Sequence, residues 1–312
     1  MRAWLGFWLS LLTAVMWGML PVAMVLVLGK LDVISITWAR FVFATLCVGL
    51  LLRQRKQLPT LQLLDSSRRW LLLVAVLGLL GNFLLYLIGL DLLNPEATQT
   101  IIQVAPIVLL FGSVWFNGER LAPLEWGGAL LLMLGLVLFF NQKLAGLFSA
   151  LGGETLGVLS MLAAALSWSI YGLVQKKLLQ QLSSLQLTFM IYAAGAVVLL
   201  VFISPHAMLQ LSLVQYSALL FCCLNMVIGY GAFTEAMQVW QAAKVSAVIA
   251  LAPVFTILSM KVAVWAMPAH FVSSQLNALA YAGALVVVAG SMLAALGKLT
   301  GKKKVPGDCV SK

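Results

Sequence analysis

Charge is what this sequence has least of. Only 9% of its 312 residues are Asp, Glu, Lys or Arg, and 63% are hydrophobic. Soluble domains run at about 25% charged and about 45–50% apolar, so a soluble enzyme and a disordered chain are both excluded. Histidine is nearly missing. His206 and His270 stand far apart, and no HExxH motif sets two of them on one helix face for zinc. No GxxxxGK[ST] loop is present to cradle nucleotide phosphates, and no GxSxG elbow to expose a serine nucleophile. ATP-driven pumping and serine hydrolysis therefore lack their residues. The four cysteines, Cys47, Cys222, Cys223 and Cys309, have no framework spacing, and three of them lie in apolar runs. That argues against a disulfide scaffold or a metal site. No cofactor and no metal is expected.

What is there is apolar sequence in lengths that cross a bilayer. Such runs fall at about 6–29, 33–52, 70–92, 95–117 and 123–141, then at 154–175, 184–204, 214–236, 240–264 and 275–297. A run in lipid must satisfy its own backbone, so each is read as a helix. The expected fold is an all-α membrane protein with ten transmembrane helices. The run following Arg2 is too long for the apolar part of a cleaved signal and reads as a retained first helix.

The net charge of +10 would suggest nucleic acid in a soluble protein. Here the basic residues sit in short loops and a tail. With the N-terminus inside, 15 fall in inner segments and 3, Lys30, Lys143 and Lys261, in outer ones. Both termini are therefore expected in the cytoplasm of a bacterial cell, with no nucleic-acid partner. The tail lysines 298, 302, 303, 304 and 312 are near enough to the surface to touch anionic lipid.

The sequence also repeats itself. Trp17 in TAVMWGMLP is matched by Trp168 in AALSWSIYG, 151 positions on. Pro106 in VAPIVLL is matched by Pro253 in LAPVFTI, 147 on. GALLLMLGLVLF at 128–139 is matched by GALVVVAGSMLA at 283–294, 155 on. The change of offset places eight extra residues around Met267–Gln275. Each unit holds five runs, an odd number, so the two units insert in opposite directions. Segment 53–69 carries five basic residues and its partner around Ser204–Gln215 carries none, which agrees. Inverted repeats are a recurring basis of secondary transporters, with the solute site between them at the midplane.

With these features the chain resembles the drug/metabolite transporter superfamily, in its ten-span EamA-type branch. The features are the doubled five-helix unit, the Trp near the end of helix one, Arg40 in helix two, the Ala-Pro of helices four and nine, and Gly118-Glu119-Arg120 before helix five. The resemblance covers about residues 5–298. The second unit departs from it, with Ala266 of WAMPAH where the first has Glu119. The domains expected are one EamA-like repeat at 5–145, a second at 154–298, and a basic cytoplasmic tail at 299–312. The resemblance implies export of amino acids, related metabolites or drugs. The rivals are a lipid or lipid-linked-sugar flippase and a non-transporting sensor or scaffold; an intramembrane enzyme lacks a catalytic cluster.

Candidate site residues follow from chemistry that is costly in lipid. Pro106 and Pro253 fall mid-span and free a backbone carbonyl, marking helices four and nine as kinked. Gln99, Gln103, Pro106 and Ser113 share one face of helix four. Gly78 and Asn82 align with Asn225 and Gly229, one Asn and one Gly in each helix but in swapped order; Tyr86 and Tyr230 lie close by. These amides read either as cavity lining or as packing. Trp17 with Pro21, and Trp168 with Tyr171 and Gln175, offer aromatic walls for an organic solute, whereas Trp4, Trp8 and Trp70 read as interfacial anchors. Arg40 either meets a solute carboxylate or ties to Glu96 or Asp91. Lys244 either faces the cavity or snorkels. Asp91, Glu96 and Glu235 are candidates for proton coupling if buried, but their places at span ends suggest solvated carboxylates. The partners expected are a small-molecule solute and membrane lipids; a homodimer is left open.

Overall fold

The structure is a computed structural model that describes residues 2–59, 65–117, 122–142, 152–272 and 276–300. Among the described residues every regular element is a helix. The chain runs through α1 (Arg2–Leu28), α2 (Val33–Gln54), α3 (Ser66–Leu92), α4 (Pro95–Ile101), α5 (Ala105–Asn117) and α6 (Pro123–Phe139). The second half holds α7 (Gly153–Leu178), α8 (Ser184–Leu199), the short α9 (Pro205–Met208), α10 (Leu213–Val239), α11 (Ala242–Ile249), α12 (Ala252–Ala266) and α13 (Ala278–Thr300). Among the described residues eight helical stretches are long and apolar enough to cross a membrane. Two expected spans fall short of that test: α6 has 17 residues, and the 95–117 run is divided.

The starts of the helices are written in their caps. Asp32 accepts from Ser35 N at 2.8 Å, Asp65 from Arg68 N at 2.8 Å, and Asn94 from Ala97 N at 2.8 Å with Pro95 following it. Each short polar side chain takes up an amide that the first helical turn leaves unpaired. Ser183 with Gln186 and Ser212 with Gln215 form reciprocal capping boxes.

The runs from the two halves that correspond in sequence pack directly on each other, head to tail. In α2 and α8, Gly195 meets the Phe41 ring and Gly49 meets the Phe189 ring. In α6 and α13, Gly128 lies against Gly290 and Ala294, and Gly135 against Gly283 and Val287. Glycines at seven-residue spacing on both helices let the backbones touch, the means by which helices associate in lipid. Asn141 and Asn277 then exchange amide hydrogen bonds of 3.2 and 2.9 Å at one end of this pair.

Two further antiparallel pairs, α3·α7 and α1·α10, account for the swapped Asn and Gly. In α3·α7, Asn82 Nδ2 donates to Ala164 O at 2.9 Å, and Gly78 backs onto Ser167 O and Tyr171. In α1·α10, Asn225 Nδ2 donates to Met16 O, and Thr13 Oγ1 donates to Gly229 O at 3.3 Å. At the 147 and 151 offsets these are the same four positions. Each interface holds one amide anchor and one close backbone approach, in opposite order along the helix.

Candidate functional site

The centre of the molecule is where two helices break. After α4, Ile102–Val104 tighten into a 3-10 turn before α5. After α11, the chain turns through Ala250 and Leu251 before α12. Pro106 and Pro253 follow these breaks by a few residues, each lacking the N–H that would close an unbroken helix. Gln103 Nε2 donates to Ala250 O at 2.9 Å. Gln103 and Ala250 are 147 positions apart, so each is the other's counterpart, and the two breaks meet at matching points. Side-chain bonds tie both breaks to neighbouring helices: Ser169 Oγ of α7 donates to Ala105 O at 3.0 Å, and Thr256 Oγ1 of α12 donates to Gly18 O of α1 at 2.7 Å.

A cavity of about 200 Å³ lies beside this junction. Trp17, Tyr230, Phe233 and Trp168 form its aromatic wall. Trp17 lies 5.0 Å from Tyr230 and 5.6 Å from Phe233, ring centre to ring centre. Tyr86 donates its hydroxyl to Gln99 Oε1 at 2.9 Å, which orients both. Arg40, the lone charged residue of the lining among the described residues, is 1% exposed. Its guanidinium carbon stands 4.8 Å over the Phe83 ring, a cation–π contact. Phe83 is fixed in turn by Phe41, which stacks on Tyr192.

Of the residues singled out from sequence, Trp17, Arg40, Asn82, Tyr86, Gln99, Gln103, Pro106, Trp168 and Tyr230 come together around this cavity. Four others lie off it. Asn225 is fully buried in the α1·α10 interface. Tyr171 packs against α3 beside Gly78. Lys244 is half-buried near the start of α11, and Pro253 is buried at the start of α12. The tie from Arg40 to Asp91 or Glu96 does not form. Asp91 and Glu235 are exposed. Glu96, expected to be solvated, is 4% exposed: every residue of α4 is buried, so this helix start lies inside the protein rather than at its surface. Gly118, Glu119, Arg120, Lys143, Gln275, Cys309 and the tail beyond 300 lie outside the described residues, as do the side chains of Ser113, Lys176 and Lys298.

The cavity also takes residues that the sequence reading passed over. Phe233 is one helical turn beyond Tyr230, and that spacing was the available signal. Ser246, Ile249, Ala250 and Ala252 enter because the α11–α12 break turns toward the centre. Among the described residues no three His, Cys, Asp or Glu side chains are grouped to hold a metal. A second cavity of about 280 Å³, between Asn94, Gln142 and Glu154, sits at the end of the bundle away from this junction.

Known proteins with similar sequences place this architecture. The inner membrane transporter YhbE of Escherichia coli (strain K12), itself uncharacterised, is 42% identical over 298 residues, covering 95% of this chain and 92% of its own. An uncharacterised transporter of Haemophilus influenzae is 36% identical over 293 residues, covering 94% and 95%. The aromatic amino acid exporter YddG of Ancylobacter novellus is 29% identical over 100 residues, covering 32% and 34%. A crystal structure shares the fold with a TM-score of 0.62 at 18% identity, covering 96% of this chain and 99% of its own. The EamA-like transporter family matches twice, at residues 4–141 and 155–296. With both halves of the sequence matched and relatives this close along its length, the chain belongs to the EamA-like transporter family.

Proposed function

We propose that this protein is a secondary transporter of the bacterial cytoplasmic membrane, exporting small organic solutes of amino-acid size by alternating access. The observation that carries the reading is the aromatic-walled cavity at the meeting point of two broken helices. Broken helices commonly form solute sites in transporters, because the break exposes backbone groups in lipid-depth protein. At about 200 Å³ the cavity falls below the roughly 300–1,000 Å³ of drug-sized sites, which favours small metabolites. The relatives named as transporters support the class, and the distant exporter of aromatic amino acids supports the direction and solute size.

In this reading the repeats 5–145 and 154–298 are inverted, with ten spans. The broken pair α4/α5 forms one span, α11/α12 another, and the short α6 a third. The head-to-tail packing of α2 on α8 and of α6 on α13 supports inversion. Both termini lie in the cytoplasm, by the distribution of basic residues. Rocking of one repeat against the other opens the cavity to each side in turn.

The test is flux into and out of proteoliposomes with a panel of labelled amino acids and cationic drugs, with and without a pH gradient. Saturable flux of one solute is expected; none across the panel, with folded protein verified, would sink the reading in favour of a flippase or a scaffold. Cysteine labelling at Ser67 and Lys303 should report the cytoplasmic side, and labelling from outside would overturn the topology.

A further inference from the structure

We propose that Arg40 is the anion-binding group of the central cavity and that the solute this protein takes up there carries a carboxylate. The proposal rests on the reading of that cavity as the solute site.

Arg40 is 1% exposed, and among the described residues no carboxylate forms an ion pair with it. It makes an ion pair with neither Asp91 nor Glu96. Its charge bears on Tyr86, Tyr192, Tyr230, Cys222 and Cys223, side chains that are neutral at pH 7 by their ordinary acidity. Taking an ion out of water without a counter-charge is expensive. The ring of Phe83 at 4.8 Å offsets part of that cost. A buried cation facing a cavity is then a position where a ligand's charge gains most, because the protein has already met the desolvation cost.

The hydrogen-bonding pattern points the same way. Among the described residues two buried side-chain atoms of the lining have no partner, Arg40 Nε and Trp17 Nε1, and both are donors. Each amide nearby has one end engaged within the protein: Gln99 Oε1 accepts from Tyr86, Gln103 Nε2 donates to Ala250, and Asn82 Nδ2 donates to Ala164. The lining therefore offers one positive charge, spare donors and aromatic faces. Its complement is an acceptor of one negative charge on a small apolar body. A dianionic phosphate would leave the cavity negatively charged; a carboxylate neutralises it and fits the planar guanidinium in bidentate fashion.

The experiment compares matched carboxylates and primary amides that share methyl, isobutyl, benzyl and indolylmethyl bodies. Each is tested on the purified protein by thermal shift and by quenching of tryptophan fluorescence. At least one carboxylate should bind ten- to a hundredfold more tightly than its amide. Arg40→Met should abolish that preference, and Arg40→Lys, which keeps the charge without the fork, should keep part of it. Arg40→Met should fold, since it removes an unpaired ion, and its melting without ligand checks this. The proposal is overturned if no carboxylate binds, if amides bind equally, or if Arg40→Met retains the preference. It is also overturned if chloride alone, or phosphatidylglycerol alone, gives the whole Arg40-dependent shift, since the anion would then be an inorganic ion or a lipid headgroup. Flux separates this claim from the transporter reading. Arg40-dependent binding without flux would count against transport alone, and saturable flux of a cation or an uncharged solute against the carboxylate alone.

Discussion

Adding one methyl group at Gly283 tests the packing that joins the two halves. A Cβ built there lies 2.8 Å from Gly135 O and 2.8 Å from Leu138 C, with Phe139 N closer still. All three are backbone atoms of α6, so no side chain can rotate away. The helices must separate, and overpacking of this kind costs about 1–3 kcal/mol. Alanine is the better helix former by roughly 0.5–1 kcal/mol, which conceals part of that loss. Gly231 supplies the control. It lies within α10, and a Cβ there meets nothing within 4 Å. Gly231→Ala should thus show the propensity gain alone, and the difference between the two variants isolates the clash. We expect Gly283→Ala to unfold more easily than Gly231→Ala by about 1–3 kcal/mol, read by reversible unfolding of the purified protein in mixed detergent micelles. Equal stability of the two variants, or a less stable Gly231→Ala, would refute the close approach of α6 and α13.

Other changes separate solute contact from packing. Trp168→Ala should weaken solute binding well beyond the effect of Trp4→Ala, because Trp168 lines the cavity and Trp4 is 69% exposed; equal small effects would make Trp168 a packing residue. Asn225→Ala should lower stability by about 0.6–1.7 kcal/mol with solute affinity unchanged, since it anchors α10 on Met16 away from the cavity; a loss of affinity at full stability would contradict that. Glu96→Gln should abolish any proton-driven component of flux; unchanged dependence on the pH gradient would remove this buried carboxyl as the coupling group. At Asp32, burial acts to raise the carboxyl pKa, but hydrogen bonds from Ser35 and Ser204 more than reverse it and hold the carboxyl below the ordinary range. Its contribution to stability is present above the unfolded-state pKa and is lost as pH falls through the lowered folded value. Asp32→Asn should remove that acid-side loss from the unfolding profile, and an unchanged profile would show that the cap is not its source.

Much of the fold was legible because the bilayer imposes a length, and apolar length survives in sequence without any partner being known. The breaks were legible for a similar reason: proline in mid-span has a fixed covalent consequence. What a helix faces is a different matter. Asn82 and Asn225 look alike in sequence, and both anchor a helix, but only Asn82 reaches the cavity. Trp168 and Tyr171 are one turn apart, and the rotation of α7 on α3 sends one to the cavity and the other to the interface. Glu96 looked like a span end because Pro95 opens a helix there; its burial depends on the helices that surround α4, which no local pattern announces. Ser246, Ile249 and Ala252 entered the site through the direction in which the α11–α12 break turns, which no spacing along the chain gives.

The bond from Gln103 to Ala250 has a consequence for the resting state of the carrier. In the alternating-access cycle proposed above, one open form is reached from the other by exchanging the conformations of the two inverted halves. A contact present in both halves survives the exchange and favours neither form. The glycine contacts of α6·α13 are balanced in this way, since Gly128 and Gly135 correspond to Gly283 and Gly290. The central amide is not: residue 250 has only a methyl group, so the exchanged form cannot rebuild the bond. One hydrogen bond of about 1 kcal/mol weights two populations by roughly fivefold. Moving the amide, with Gln103→Ala and Ala250→Gln together, should transfer that preference to the opposite opening. Accessibility of cysteines placed on the two sides of the cavity would register the reversal, and an unchanged pattern would show that the asymmetry lies elsewhere.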